Sequence, residues 1–326
     1  MPPSLTRVPS RPQLLEPATP DTPSTTLRGR ARVTFLQRNG RTRLGDLEQH
    51  TPLRVLFPRP GAGDIEQAFV TNVSGGIVAG DALEIEIEAG PGSRCLVGAQ
   101  AAEKVYRSLG PRSYCDVVLR AGDDSWLEWL PQETIVFDAA RFHRRTRMEV
   151  APGARLLAGE WLVLGRVAHG ENLSRLELRE RMEVRREGRL AWADCLRIDE
   201  DGMQALTHPA CLDGARALAS VVYVGEDAER HLEAARAFAR AEGCLAGASL
   251  VDGVLVARWL AARPLDLRRA LAHFWTNFRA LAAGSPPVSP GSGTSEVLEP
   301  SKGPHEAHSE RKGQVDHRHG GDGRAT

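Results

Sequence analysis

The 326-residue sequence predicts a mainly β protein, with strands stacked into solenoid-like coils and two α-helices late in the chain. Three observations carry this. Turn signals at Gly92, Gly122 and Gly153 fall 30 and then 31 residues apart, each followed by a small polar or basic residue and an apolar run: SRCLVG, DSWLEWL and ARLLAG. Apolar residues alternate with charged ones in DALEIEIEAG, the period of a half-buried strand. Helical spacing is confined to the last third. Three repeats are few, so a β-sandwich of α+β type is the alternative.

Residues 1–28 hold seven prolines by Pro23 and are expected to be a disordered leader. Residues 29–283 are expected to fold as one β-rich domain. In DALEIEIEAG, Leu83, Ile85 and Ile87 should face inward and Glu84, Glu86 and Glu88 outward. RCLVGAQ, SYCDVVLRAG, SWLEWL, ETIVF, HRRTRMEV, ARLLAGEWLVLG, LSRLELRERMEV and RLAWADCLRI follow as strands, most of them separated by Gly, Pro or Asp turns. DAERHLEAARAFARAEG reads as a helix opened by an Asp cap and closed at Gly243. RPLDLRRALAHFWTNFRALAAG carries Pro264 in its first turn and Gly284 just past its end, with a stripe of Leu267, Leu271, Phe274, Trp275 and Phe278. Residues 284–326 lack aromatics and are expected to be a disordered, His-containing tail.

Charge excludes some functions. The 42 basic residues balance 42 acidic ones, which argues against bulk attraction to nucleic acid or an anionic membrane. The balance hides segregation: DALEIEIE is purely acidic, whereas residues 138–189 hold twelve arginines against eight acids. Five cysteines, odd in number and widely spaced, fit free thiols in a cytoplasmic protein. The sequence contains no GxxxxGK[ST], HExxH or GxSxG, and Gly61 and Gly63 lack the third glycine of a dinucleotide fingerprint.

Several residues are candidates for function. Gly75, Gly76 and Gly80 precede Asp81 in a segment that another chain or an ion can approach closely. Lys104, Tyr106 and Arg107 follow a core strand in a stretch too polar to be core. Gln132 and Glu133 sit among bulky apolar groups after Pro131. Glu160 lies inside the apolar run LLAGEWLVLG and Asp194 inside AWADCL. A charge there is costly unless paired or coordinated, so each acid either pairs with one of the many arginines or lines an internal path for a cation. His317 and His319 are a weak candidate metal pair.

In order along the chain, GGIVAGD, GAQAAEKVYRS, EWLPQETIVFDAARF, LGRVAHGE and AGASLVDGVLVARWL resemble the urease accessory protein family UreD, also called UreH. The resemblance covers about residues 29–283. It implies a cytoplasmic, non-enzymatic maturation factor that bridges apo-urease to UreF and to UreG, the GTPase that delivers nickel. It also implies a stack of strands with a couple of helices, and no tightly bound cofactor beyond transient Ni²⁺. Acidic residues line an internal nickel tunnel in that family, which points to Glu160, Asp194 and Asp81. Relatives more often carry Asp where Glu160 stands, and the resemblance does not extend to the tail. The rival classes are a β-rich hydrolase using an acidic pair and a generic protein-binding scaffold.

Overall fold

The computed structural model describes residues 26–61, 63–199 and 201–284. In chain order the strands are β1 (Arg28–Arg38), β2 (Arg41–His50), β3 (Leu53–Leu56), β4 (Glu66–Asn72), β5 (Ala82–Ala89), β6 (Arg94–Ala99), β7 (Glu103–Val105), β8 (Ser113–Ala121), β9 (Trp126–Leu130), β10 (Thr134–Val136), β11 (Arg141–Val150), β12 (Arg155–Leu164), β13 (Glu177–Arg186), β14 (Arg189–Ile198), β15 (Ala217–Val224), β16 (Cys244–Val251) and β17 (Val254–Ala261). The helices are α1 (Leu232–Ala239) and α2 (Pro264–Ala283).

From β4 to β13 the chain coils between two facing sheets. The first sheet runs β14-β13-β11-β8-β5-β1-β2 and the second β16-β17-β15-β12-β9-β6-β4-β3, with β7 and β10 as a short extra path beside β12. Parallel neighbours need long crossovers, and here each crossover is itself a strand of the opposite sheet. The predicted repeat is this coil. Successive turns hydrogen-bond to one another: Gly92 N donates to Asp123 O at 2.8 Å and Ala151 N to Ala121 O at 2.9 Å. A side chain on Gly122 would meet Ala89 O at 2.9 Å, so the tight stacking of turns itself requires glycine there. Antiparallel strands finish both sheets, which leaves β14 and β16 as neighbouring free edges of opposite sheets.

The core has two layers. Between the sheets, Ile87, Leu119, Met148 and Val184 pack with Val97, Leu156, Leu162 and Val222. Behind the second sheet, Leu157, Val221, Tyr223 and Trp259 meet the whole predicted α2 stripe, all of it buried. Trp126 and Trp129 are both core residues. The alternation in β5 is as expected, with Leu83, Ile85 and Ile87 buried.

The first helix is shorter than expected. A 3₁₀ turn over Ala228–His231 precedes α1. The Asp227 carboxylate makes no cap, because it accepts the Tyr223 hydroxyl at 2.6 Å and lies 3.1 Å from His231 Nε2. The first strand begins at Arg28, while most of the expected leader and the tail beyond Gly284, including His317 and His319, lie outside the described residues. Among the described residues no helix is long and apolar enough to cross a membrane.

Candidate functional site

The inner faces of the two sheets carry a row of charges through an otherwise apolar layer. Strand alternation puts Arg144 on the face of β11 shared by Phe142 and Met148, and Glu180 on the face of β13 shared by Leu178, Met182 and Val184. Parallel register sets Arg144 beside Glu180. On the second sheet Glu160 stands in register with Ser220, Ser220 with Arg258, and Arg258 with Gly247.

Glu160 is 3% exposed. Its Oε1 accepts Trp129 Nε1 at 3.1 Å and Thr146 Oγ1 at 2.8 Å. Its Oε2 lies 2.9 Å from Arg144 Nη1, yet accepts no aligned hydrogen bond. Arg144 donates from Nε to Glu180 Oε1 at 2.8 Å, adds a second contact to the same oxygen from Nη2, and donates from Nη1 to Thr134 Oγ1 at 2.7 Å. Burial opposes the Arg144 charge, but Glu160 and Glu180 more than offset it and raise its pKa. Burial pushes the Glu180 carboxyl above the usual range, and Arg144 pulls it back only in part. At the outer end of the row, Arg258 Nη2 donates to Asp194 Oδ2 at 2.7 Å. Arginine pairing, weighed from sequence as one role for these acids, is what Glu160 and Asp194 both make.

Two cavities meet at Glu160. An outer one of about 360 Å³, between the edges β14 and β16, is lined by Glu160, Glu180 and Asp194 with apolar walls that include Met182, Leu218 and Trp259. An inner one of about 70 Å³ is lined by Glu160, Arg144, Thr134, Gln132, Glu103 and Asn72, among others. Asn72 Nδ2 donates to both Glu103 oxygens at 3.2 Å, and burial lifts the Glu103 carboxyl to about 7. The Cys115 thiol on the same wall is also pushed up by burial.

The structure therefore brings Glu160 and Asp194 into one cavity and leaves Asp81 apart. Asp81 is buried, accepts Leu27 N at 2.7 Å and Val78 N at 3.0 Å, and lines neither cavity. Both its oxygens are used in holding the turn before β5 to the start of β1.

Gly75, Gly76, Lys104 and Tyr106 come together on the surface. Ile77 N donates to Lys104 O at 2.7 Å, and the Tyr106 hydroxyl to Gly75 O at 3.3 Å. A side chain on Gly76, whose φ is 147°, would run into the Tyr106 ring and stand 2.7 Å from Lys104 O. Gly80, at φ 86°, closes the same loop, and Arg107, next in the chain to Tyr106, is exposed. Val73, Val78 and Leu109 add exposed apolar surface. Gln132 and Glu133 do not join this face. Gln132 is buried against the inner cavity, and Glu133 is committed to an ion pair with Arg268 of α2.

Sequence reading missed Arg144, Glu180 and Glu103. For the first two the signal was present: in HRRTRMEV and LELRERMEV they alternate in phase with Phe142 and Met148, and with Leu178 and Met182. It also missed a second buried cluster, behind the second sheet. Glu128 accepts Trp126 Nε1 at 2.7 Å, Trp275 Nε1 at 2.8 Å and Arg279 Nε at 2.7 Å, and Arg279 also pairs with Asp64. All five cysteines are free. Among the described residues no group of three or more His, Cys, Asp or Glu is gathered to hold a metal.

Fold and site together define a stacked-strand scaffold with charges threaded through its interior. The matching family model is the UreD urease accessory protein family, which covers residues 27–292. The chain is 42% identical over 263 residues to a urease accessory protein UreD of Magnetococcus marinus, spanning 79% of this chain and 91% of the relative. It is 43% identical over 251 residues to the namesake of Xanthobacter autotrophicus, spanning 77% and 86%. It is 38% identical over 251 residues to that of Azorhizobium caulinodans, spanning 77% and 92%. The chain belongs to the UreD family of urease accessory proteins.

Proposed function

We propose that this chain is a non-enzymatic, cytoplasmic scaffold in urease maturation that bridges apo-urease to UreF and UreG and lets nickel pass along its interior row of acids. The observation that carries the proposal is the convergence of Glu160 and Asp194, far apart in sequence, on one cavity that also exposes Glu180. Carboxylates strung along a row, each partly satisfied by an arginine, suit cargo that must leave again. Oxygen ligands in small number hold Ni²⁺ loosely, whereas a closed site would retain it. The face formed by Gly75, Gly76, Lys104, Tyr106 and Arg107 is the candidate docking surface: a half-exposed aromatic flanked by cations over a rigid loop.

The test is urease activation in cells carrying Glu160→Ala, Asp194→Ala and the double variant. The readouts are urease activity, nickel per urease active site and co-purification of the maturation proteins. The expected result is intact complexes with nickel-poor urease. Normal activation by the double variant rules out the acidic path.

A further inference from the structure

Arg144 occupies the partition between the two cavities. Its guanidinium spans Glu160, Glu180 and Thr134, and it lines the inner cavity, while Glu160 and Glu180 line the outer one. Glu160 is anchored from behind by Trp129 and Thr146 through Oε1 only. Its other oxygen, buried and aimed at the partition, faces the cation without an aligned hydrogen bond. Across the inner cavity Glu103 accepts side-chain hydrogen bonds from Asn72 alone among the described residues, and the Arg144 charge reaches it. At the mouth, Arg258 is drawn aside to Asp194.

We propose that Arg144 is a resident counter-cation that a divalent cation must displace to move between the outer and inner cavities. This rests on reading the interior row as a cation path. Glu160 and Glu180 face each other across a single guanidinium, so a doubly charged ion can replace its charge without leaving a carboxylate bare. On exchange the guanidinium swings toward Glu103, whose side-chain partner, Asn72, is neutral. An inner volume of about 70 Å³ holds only a few waters. A cation that enters therefore trades most of its hydration shell for oxygens of the cavity lining, those of Glu160 and Gln132 among them. Arg144 keeps the path closed, and the acids free of stray metal, until cargo arrives.

The experiment is equilibrium dialysis of the full-length chain against nickel chloride. It compares wild type, Arg144→Met, Arg144→Lys and Arg144→Met/Glu160→Gln, with thermal unfolding followed with and without nickel. Arg144→Met should bind nickel at least tenfold more tightly than wild type and be stabilised by it, and the added Glu160→Gln should abolish both gains. Equal affinity in wild type and Arg144→Met, or a gain that survives Glu160→Gln, overturns the proposal. If Arg144→Met does not fold, Arg144→Lys decides: its compact ammonium serves one carboxylate at a time. A nickel-dependent rise in its melting temperature supports the proposal, and no rise overturns it. Urease activation by Glu160→Gln separates this from the reading beneath it. If that variant matures urease normally, the path itself fails. If it is defective while Arg144→Met binds no more tightly, only the counter-cation role fails.

Discussion

Arg279→Met is the most direct measure of what holds α2 to the second sheet. Arg279 is fully buried and ion-paired with both Glu128 and Asp64. Methionine keeps the apolar stem and removes the charge. Asp64 retains the Gln67 amide at 2.8 Å and the Ile65 N–H at 2.8 Å, so its loss is tolerable. Glu128 keeps two indole donors, Trp126 and Trp275, but loses the one cation paired with it among the described residues while remaining fully buried. Stripping one partner from a buried pair costs about 3–5 kcal/mol. For a folded body of this size each kcal/mol lowers the melting temperature by roughly 2–4 °C, so a fall of about 6–20 °C is expected. Glu128→Gln/Arg279→Met should cost less than the sum of its two single variants, because neither charge is then stranded. Urea unfolding followed by circular dichroism and tryptophan fluorescence reads both quantities. Arg279→Met within about 1 kcal/mol of wild type, or strict additivity in the double variant, refutes the assignment of α2 docking to this cluster.

Other expectations follow from the same geometry. Burial raises Glu103 from its ordinary value to about 7, so the folded state holds a proton that the unfolded chain releases between about pH 4.5 and 7. This contribution is fully present below the unfolded value and is lost as pH rises through 7, amounting to about 3 kcal/mol at most. Glu103→Gln should therefore flatten the fall in stability over that window, as measured by urea midpoints from pH 5 to 8. Gly76→Ala should cost about 1–3 kcal/mol and displace the Tyr106 ring, visible as altered tyrosine fluorescence, because the new methyl meets that ring and Lys104 O. Thr146→Val removes one of the two donors to Glu160 Oε1 and should cost about 1–3 kcal/mol in urea unfolding.

Much of the fold was legible because local chemistry and global packing agree in it. The spacing of Gly92, Gly122 and Gly153 marks a coil: successive turns stack, Gly122 has backbone within 2.9 Å of where a side chain would start, and Gly92 and Gly153 adopt the positive φ that favours glycine. The α2 stripe was legible because Pro264 and Gly284 bound it and all five stripe residues are buried against the second sheet. Asp227 misled because a cap needs a free carboxylate, and Tyr223, four residues upstream, claims it. Glu160 and Asp194 stood out because a lone acid in an apolar run breaks the pattern. Arg144 and Glu180 did not, since both sit in strands so dense in charge that the inward ones are hidden among the outward ones. Gln132 was a candidate for partner binding although it is buried, because nothing local shows that the chain after Pro131 lines the inner cavity with Gln132 and meets Arg268 of α2 with Glu133.

The two buried acid clusters use the same ingredients and reach opposite states. Glu128 sits behind the second sheet with an indole on each oxygen and an arginine on one, and it lines neither cavity of the charged row. Each of its oxygens has a donor, which is what a group selected for rigidity needs. Glu160, one coil further along on the opposite face, has one oxygen saturated and the other facing a cation it does not hydrogen-bond, with open volume on both sides. Unmade hydrogen bonds at buried charges are costly, and Glu160 Oε2 shares that state with Glu133 Oε2 and Arg279 Nη1, but of these three residues only Glu160 lines both cavities. The contrast within one chain separates Glu128, with a donor on each oxygen, from Glu160, whose Oε2 meets Arg144 as an ion pair without an aligned hydrogen bond.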